Sequence, residues 1–261
     1  MKSGLGYILF LIFFVIAHGA KFTRFYLVLM EEKGLRFFDV LFLYARTTLV
    51  NLLIPFKLGE LYRAAAVSRM TGSPGTGISS VVVDRFFDTL ALLTIILPFE
   101  AFFVRYVNPV PAVLFFIMLM LFLLYLTFAP SYRYINRYII QTKKSERAML
   151  TLLFLDGADK WYQYIRRLVT GRSPLILWAS YIGWGAELLA LRFLSSPGGR
   201  YFGISEFNAY INSIFLLGVS DISVLYRSYA ALILLCFTLV LFARFLVRKK
   251  GRPHIKAKRG F

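Results

Sequence analysis

Val110-Pro-Ala-Val-Leu-Phe-Phe-Ile-Met-Leu-Met-Leu-Phe-Leu-Leu-Tyr-Leu-Thr-Phe-Ala129 contains no charged residue. A helix needs about 20 predominantly apolar residues to cross the roughly 30 Å hydrocarbon layer of a bilayer, and this run supplies them without a break. The rest of the chain agrees. Of its 261 residues 59% are hydrophobic and only 17% are charged, with a mean hydropathy of +0.67. A soluble domain carries roughly 45–50% apolar and about 25% charged residues. Disorder requires low hydrophobicity and is excluded. The net charge of +18 and pI near 10.1 would suit a nucleic-acid binder, but a chain this apolar has no interior large enough to hide its surface from water. No nucleic-acid partner is expected. The class left is an all-α polytopic membrane protein, one integral membrane domain over residues 1–261.

Four further runs read as spans. Leu5–Ala20 extends through Phe22–Met30 if the two form one helix; it is long for a signal peptide and shows no small-x-small cleavage site. Phe86–Phe103 begins as early as Ser79. Leu175–Leu194 carries Glu187 and Arg192, which read as a buried structural pair. Tyr229–Val247 stops at Arg248-Lys249-Lys250. About five spans are therefore expected. Two apolar segments are irregular. Phe37–Ile54 holds Asp39 and Arg46 and runs into Pro55, after which Leu58–Met70 restarts as a short helix. Phe207–Leu217 is bracketed by Gly203 and Gly218. Such interrupted segments are expected as broken or re-entrant helices, tolerated at membrane depth only beside protein or a watery cavity.

Basic loops set the orientation. Ser131–Arg172 holds nine Lys and Arg against Glu146, Asp156 and Asp159, and the tail from Arg248 holds seven more. Both are expected in the cytoplasm. The weakly charged stretches Arg105–Asn108 and Pro197–Phe202 then lie outside, Lys21–Arg36 inside, and the N-terminus outside, provided Phe37–Met70 dips in and returns. Within the basic loop, Ser145–Val169 reads either as an amphipathic helix on an anionic leaflet or as a solvated basic loop.

The irregular segments resemble each other. Gly59-Glu60, Gly77-Ile78-Ser79 and Asp84-Arg85 have counterparts in Gly203-Ile204-Ser205-Glu206, Gly218-Val219-Ser220 and Tyr226-Arg227. With the topology above the two repeats are inverted, about 5–129 and 173–248 around the basic loop 130–172, with a basic tail at 249–261. Inverted repeats with broken helices characterise alternating-access transporters.

Charges beside spans cost about 2.5–3.5 kcal/mol each on insertion scales and must be paired, wetted or used. Glu60 and Arg63 share a helix face, as do Asp84 and Asp88, with Arg85 between them; Arg227 precedes the last span. They form either an ion-pair cluster that pins the broken helix or a polar cavity whose guanidiniums grip phosphate. Arg46 and Asn51 are lesser candidates. No G-x-S-x-G, Walker or H-E-x-x-H pattern occurs, and Ser73-Pro-Gly-Thr-Gly77 follows a helix and reads as a turn. Cys236 stands alone, and His18 and His254 are far apart, so neither a disulfide nor a zinc set is available. Asp84 and Asp88 carry only a weak divalent-ion signal. No cofactor or metal and no catalytic residues are expected.

Asn51-Leu-Leu-Ile-Pro-Phe-Lys-Leu-Gly-Glu-Leu-Tyr-Arg63, then Gly77-Ile-Ser, then Asp84-Arg-Phe-Phe-Asp88 resemble the flippase-like transmembrane family. That family includes the membrane domain of lysylphosphatidylglycerol synthase and membrane domains that accompany glycosyltransferases. Gly203-Ile-Ser-Glu206, Gly218-Val-Ser and Arg227 look like its second motif block, although Arg200–Phe202 is inserted ahead of Gly203. The family usually has one more span before Leu5–Ala20, and the lysyl transfer done by the full synthase, which needs an aminoacyl-transfer domain, is not expected. The resemblance implies a lipid-handling module in the cytoplasmic membrane of a prokaryote. Its ligand would be an anionic phospholipid or a polyprenyl-phosphate-linked glycan moved between leaflets. Arg63, Arg85 and Arg227 would hold phosphate, oriented by Glu60, Asp84, Asp88 and Glu206. The alternative is a non-catalytic scaffold for a separate glycosyltransferase or lipid-modifying enzyme, docked through Ser131–Arg172.

Overall fold

The computed structural model describes residues 3–30, 32, 35–54, 58–104, 109–142, 146–195, 202–203, 206–207, 209–210, 213 and 221–250. Among these are eight α-helices and no strand: α1 (Ser3–Leu29), α2 (Phe37–Leu53), α3 (Leu58–Thr71), α4 (Pro74–Phe99), α5 (Pro109–Thr142), α6 (Glu146–Val169), α7 (Ser173–Ser195) and α8 (Asp221–Lys250). The polytopic all-α membrane class stands. Four helices are long and apolar enough to cross a bilayer, over Gly4–Leu29, Pro111–Gln141, Ser173–Ser195 and Asp221–Arg244. The expected span at Phe86–Phe103 belongs to α4, which is 26 residues long and runs on into a π-helical turn, Glu100–Val104. Asp84, Arg85 and Asp88 occupy its middle.

α1 and α7 form the central pair, antiparallel along most of their length. Phe13 stacks on Phe193 at 5.5 Å, Lys21 meets Glu187, Arg24 meets Ser180, and Arg172 reaches the Leu27 carbonyl. Small residues at the seam let the backbones approach closely: Ala17, Ala179 and Ala186 are buried, and Gly183 lies against Ala17 and Lys21. Half of the α7 span is buried, against 6% of the α5 span. α7 therefore sits at the centre, while α5 presents its apolar side chains outward, where lipid tails would solvate them.

Phe37–Met70, expected to dip and return, is a helical hairpin. Asn51 bonds Glu60 and Thr48 bonds Arg63, an antiparallel order along α2 and α3. The motif glycines have a packing reason. A Cβ on Gly59 would stand 2.4 Å from the Asn51 Cα, and one on Gly77 would stand 2.0 Å from Ser68 Oγ and 2.3 Å from the Ala64 carbonyl. Only glycine lets α2 meet α3, and α3 meet α4, at these distances.

Several boundaries differ from expectation. Ser73–Gly77 is not a turn but the start of α4: the Ser73 hydroxyl caps the helix by accepting from the Thr76 N–H, and Pro74 follows at the first helical position. The turn lies just before it, where Gly72 adopts φ +73°. The last span begins eight residues before Tyr229, at Asp221. The basic stretch 130–172 is not a loop. α5 continues past Ala129 to Thr142, and α6 returns against it, with Tyr162 packed on Tyr125 and Phe128 at 5.3 and 4.8 Å. Within Ser145–Val169, residues Glu146–Val169 are helical. α6 is fastened to the bundle by Trp161 Nε1 donating to Ser79 Oγ at 2.6 Å and by Tyr164 donating to Glu32 at 2.8 Å. The expectations for Arg105–Asn108, Pro197–Tyr201, most of Phe207–Leu217, Gly218-Val219-Ser220 and the tail beyond Lys250 lie outside the described residues.

Candidate functional site

A cavity of about 500 Å³ opens between α1, α2, α3, α4, α7 and α8. Its walls are charged although the helices around it are apolar, a combination that needs each charge compensated.

α4 supplies the centre. Asp84 and Asp88, one turn apart, face α1, where Arg24 is 2% exposed. Arg24 Nε donates to Asp84 Oδ1 at 2.6 Å, and Nη1 serves both Asp88 Oδ1 and, at 3.1 Å, Ser180 Oγ. Arg63, buried on α3, reaches Asp84 Oδ2 at 3.1 Å and stands over the Phe25 ring. Arg85 spans three carboxylates, with Glu60 at 3.0 Å, Asp88 at 3.1 Å and Asp84 at 3.5 Å. Asn51 donates to Glu60 Oε1 at 2.8 Å. Three guanidiniums thus interlock with three carboxylates across three helices, α1, α3 and α4. Within this cluster Glu60 Oε2 and Arg85 Nε are buried without a hydrogen-bond partner.

A second group lines the opposite wall. Lys21 of α1 pairs with Glu187 of α7 at 2.5 Å and lies over the Trp184 ring, and Tyr210 donates to Glu187 Oε1 at 2.8 Å. His18 Nδ1 lies 3.1 Å from the Tyr44 hydroxyl. Arg227, on the first turns of α8, donates Nη2 to the Ser213 carbonyl at 3.0 Å and is in no ion pair among the described residues.

Six of the seven predicted site residues meet at this cavity: Glu60, Arg63, Asp84, Arg85, Asp88 and Arg227. Glu206 is not on its wall; its carboxylate accepts the Gly203 N–H at 2.8 Å, close to it in sequence. The expected Glu187–Arg192 pair does not form. Five residues apart on one helix, the two point to different faces; Arg192 is exposed and Glu187 takes Lys21. Of the lesser candidates, Asn51 joins the cluster, whereas Arg46 lies between the Phe42 and Tyr62 rings. The Asp84 and Asp88 carboxylates are occupied by guanidiniums, and no group of three His, Cys, Asp or Glu among the described residues is placed to hold a metal.

Sequence reasoning missed Lys21 and Arg24, because even with one helix allowed through Met30 the stretch Lys21–Arg36 counts as an inside connection. A signal existed. Phe10, Phe14, Ala17, Lys21, Arg24 and Val28 recur at helical spacing, so a continuous α1 places two cations on the stripe that faces the bundle.

A family model described as the lysylphosphatidylglycerol synthase TM region matches residues 2–196. A UPF0104 membrane protein of Methanocaldococcus jannaschii is 25% identical over 152 residues, 56% of this chain; the match spans 59% of that relative's length. No solved structure matches the chain.

Proposed function

The chain belongs to the lysylphosphatidylglycerol synthase transmembrane-region family, and on that premise we propose that it binds the anionic headgroup of a membrane lipid in its charged cavity and helps that lipid change leaflet. The observation that carries this reading is the cavity itself: about 500 Å³ of polar space, opening among helices otherwise built for lipid. Headgroup atoms entering it exchange water for arginine, asparagine and tyrosine side chains, while the acyl chains stay outside along apolar helix faces. Groups buried beside the space without a hydrogen-bond partner, Glu60 Oε2 and Arg85 Nε, fit a site whose hydrogen bonding is completed by a ligand.

The reading is of a non-catalytic module. Each carboxylate on the cavity wall is engaged by a cation, so none stands as a general base. The sequence holds no nucleotide-binding pattern, which favours facilitated over ATP-driven movement. The membrane would be the cytoplasmic membrane of the cell, with the α5–α6 hairpin on the cytoplasmic side.

The test is a reconstitution. Proteoliposomes holding the full chain and a labelled anionic phospholipid are followed for exchange between leaflets. Exchange above protein-free vesicles, reduced in Arg85→Gln and Arg227→Gln proteins that still fold, is the expected result. Equal exchange with and without protein overturns the proposal.

One feature favours a second reading, the docking of a separate glycosyltransferase or lipid-modifying enzyme. The far end of the α5–α6 hairpin exposes Tyr134, Tyr138, Met149, Leu150, Leu153 and Phe154 together. Copurification of such an enzyme, lost when Leu153 and Phe154 become Ser but kept when Arg85 becomes Gln, would establish docking in place of transport.

A further inference from the structure

The charge on the cavity wall is almost balanced, and the imbalance lies at one residue. Five cations line the space, Lys21, Arg24, Arg63, Arg85 and Arg227. Four carboxylates oppose them, Glu60, Asp84, Asp88 and Glu187. Among the described residues the formal excess is therefore one positive charge. Four of the cations are committed: Arg24 to Asp84 and Asp88, Arg63 to Asp84, Arg85 to Glu60 and Asp88, and Lys21 to Glu187. Arg85 keeps its Nε without an acceptor, but its charge is shared among three carboxylates; an anion taking any of the other three cations would have to break a pair and leave a buried carboxylate uncompensated, which is costly in a low-dielectric setting. Among the described residues Arg227 meets only a neutral acceptor, the Ser213 carbonyl, and it is exposed where it borders the cavity. A guanidinium in that state keeps N–H donors and a full charge for an oxyanion.

Resting on the headgroup reading above, we propose that the ligand is a phosphodiester monoanion held at Arg227, and that the cavity discriminates against phosphomonoesters and pyrophosphates. One negative charge matches the single excess cation. A second or third has no counter-charge among the described residues and faces four carboxylates. The remainder of the headgroup extends toward α2 and α3, where the buried Glu60 Oε2 accepts no hydrogen bond, its nearest cation being Arg63 Nη1 at 3.8 Å, and favours hydroxyl, amide or ammonium groups over further anions. The α4 cluster then positions the helices and shapes the wall; it does not grip the phosphate. The shared chemistry, one ionised oxygen on a doubly esterified phosphate, occurs both in glycerophospholipids and in polyprenyl-phosphate sugars.

The experiment is a displacement assay on the full chain in nanodiscs of zwitterionic lipid at about pH 8, where a phosphomonoester carries close to two charges. Fluorescent phosphatidylglycerol is displaced by unlabelled phosphatidylglycerol, by a polyprenyl-phosphate hexose, by phosphatidic acid and by polyprenyl pyrophosphate. At least one diester should compete roughly tenfold better than the monoester and the pyrophosphate, and whichever diester is stronger identifies the source. Arg227→Gln should weaken the diester by about tenfold. Arg227→Lys, which keeps the charge, should retain the preference for diester over pyrophosphate, and it serves where the Gln protein does not fold. Pyrophosphate competing as well as the diesters, or a folded Arg227→Gln protein with undiminished diester binding, overturns the proposal while leaving the headgroup reading intact. If the wild-type chain retains no fluorescent phosphatidylglycerol above empty nanodiscs and none of the four lipids binds, the headgroup reading fails and takes this inference with it.

Discussion

Arg24 and Asp84 stand 60 residues apart in sequence and 2.6 Å apart in space, both almost fully buried. Their contact ties α1 to α4 at the level of the cavity, and the same guanidinium takes Asp88 and Ser180. It is the point from which the site's geometry follows.

Removing that guanidinium leaves two buried carboxylates with fewer partners. Arg24→Met should destabilise the protein by roughly 3–5 kcal/mol, and Arg24→Lys by less, since it keeps the charge but loses the forked geometry. Thermal unfolding in detergent would report both. Equal loss for Met and Lys would mean that shape, not charge, matters there.

Lys21 and Arg192 offer a contrast. Glu187 is paired with Lys21, whereas Arg192 is exposed on another face of α7. Lys21→Met should cost about 3 kcal/mol or more, and Arg192→Ala should stay within about 0.5 kcal/mol. Melting temperatures measured side by side check the assignment.

Gly77 is where α3 and α4 meet. A methyl group there would lie 2.3 Å from the Ala64 carbonyl, backbone that cannot simply rotate away. Gly77→Ala should cost about 1–3 kcal/mol, with a matching fall in disulfide yield between cysteines placed on the two helices. Gly157→Ala, with open space around it, is the control and should be neutral or slightly stabilising through helix propensity.

Tyr164 holds α6 to Glu32 through its hydroxyl, and Thr76 donates to the same carboxylate oxygen at 3.0 Å. Burial, with the Glu32 carboxylate adding to it, pushes the Tyr164 phenol up to about 12. The folded pKa lies above the ordinary value, so the contact's contribution is complete below about pH 10 and is lost as pH rises through about 12. Hydrogen exchange of α6 should be flat from pH 6 to 9 after correction for intrinsic rates. Tyr164→Phe should raise it at every pH, by an opening cost reduced about 1 kcal/mol.

Much of the fold was legible because hydropathy is a local sum. Val110–Ala129 announces a membrane segment from its own residues, as do the apolar runs of α1, α7 and α8. Glu60, Arg63, Asp84, Arg85 and Asp88 were legible as a group because charge beside apolar runs is expensive wherever the partners lie. Helical spacing even shows which of them share a face. Boundaries were less legible: α5 runs on through Pro130 to Thr142, because packing against α6 sustains a helix that composition alone would end at Ala129.

What the sequence by itself determined was the solvent, the helices and the short list of costly charges. Only the tertiary structure decided how those charges pair. Arg24 joins Asp84 and Asp88, Lys21 takes Glu187 from the expected Arg192, and Glu206 accepts the Gly203 N–H away from the cavity wall. Pairing depends on the crossing of helices dozens of residues apart, and that crossing is set by close-packed contacts such as those at Gly59, Gly77 and Gly183, which no window along the chain contains. Among the described residues the same packing leaves Arg227 as the one cavity-lining Lys or Arg that no carboxylate pairs, a property that exists only once every other partner has been assigned.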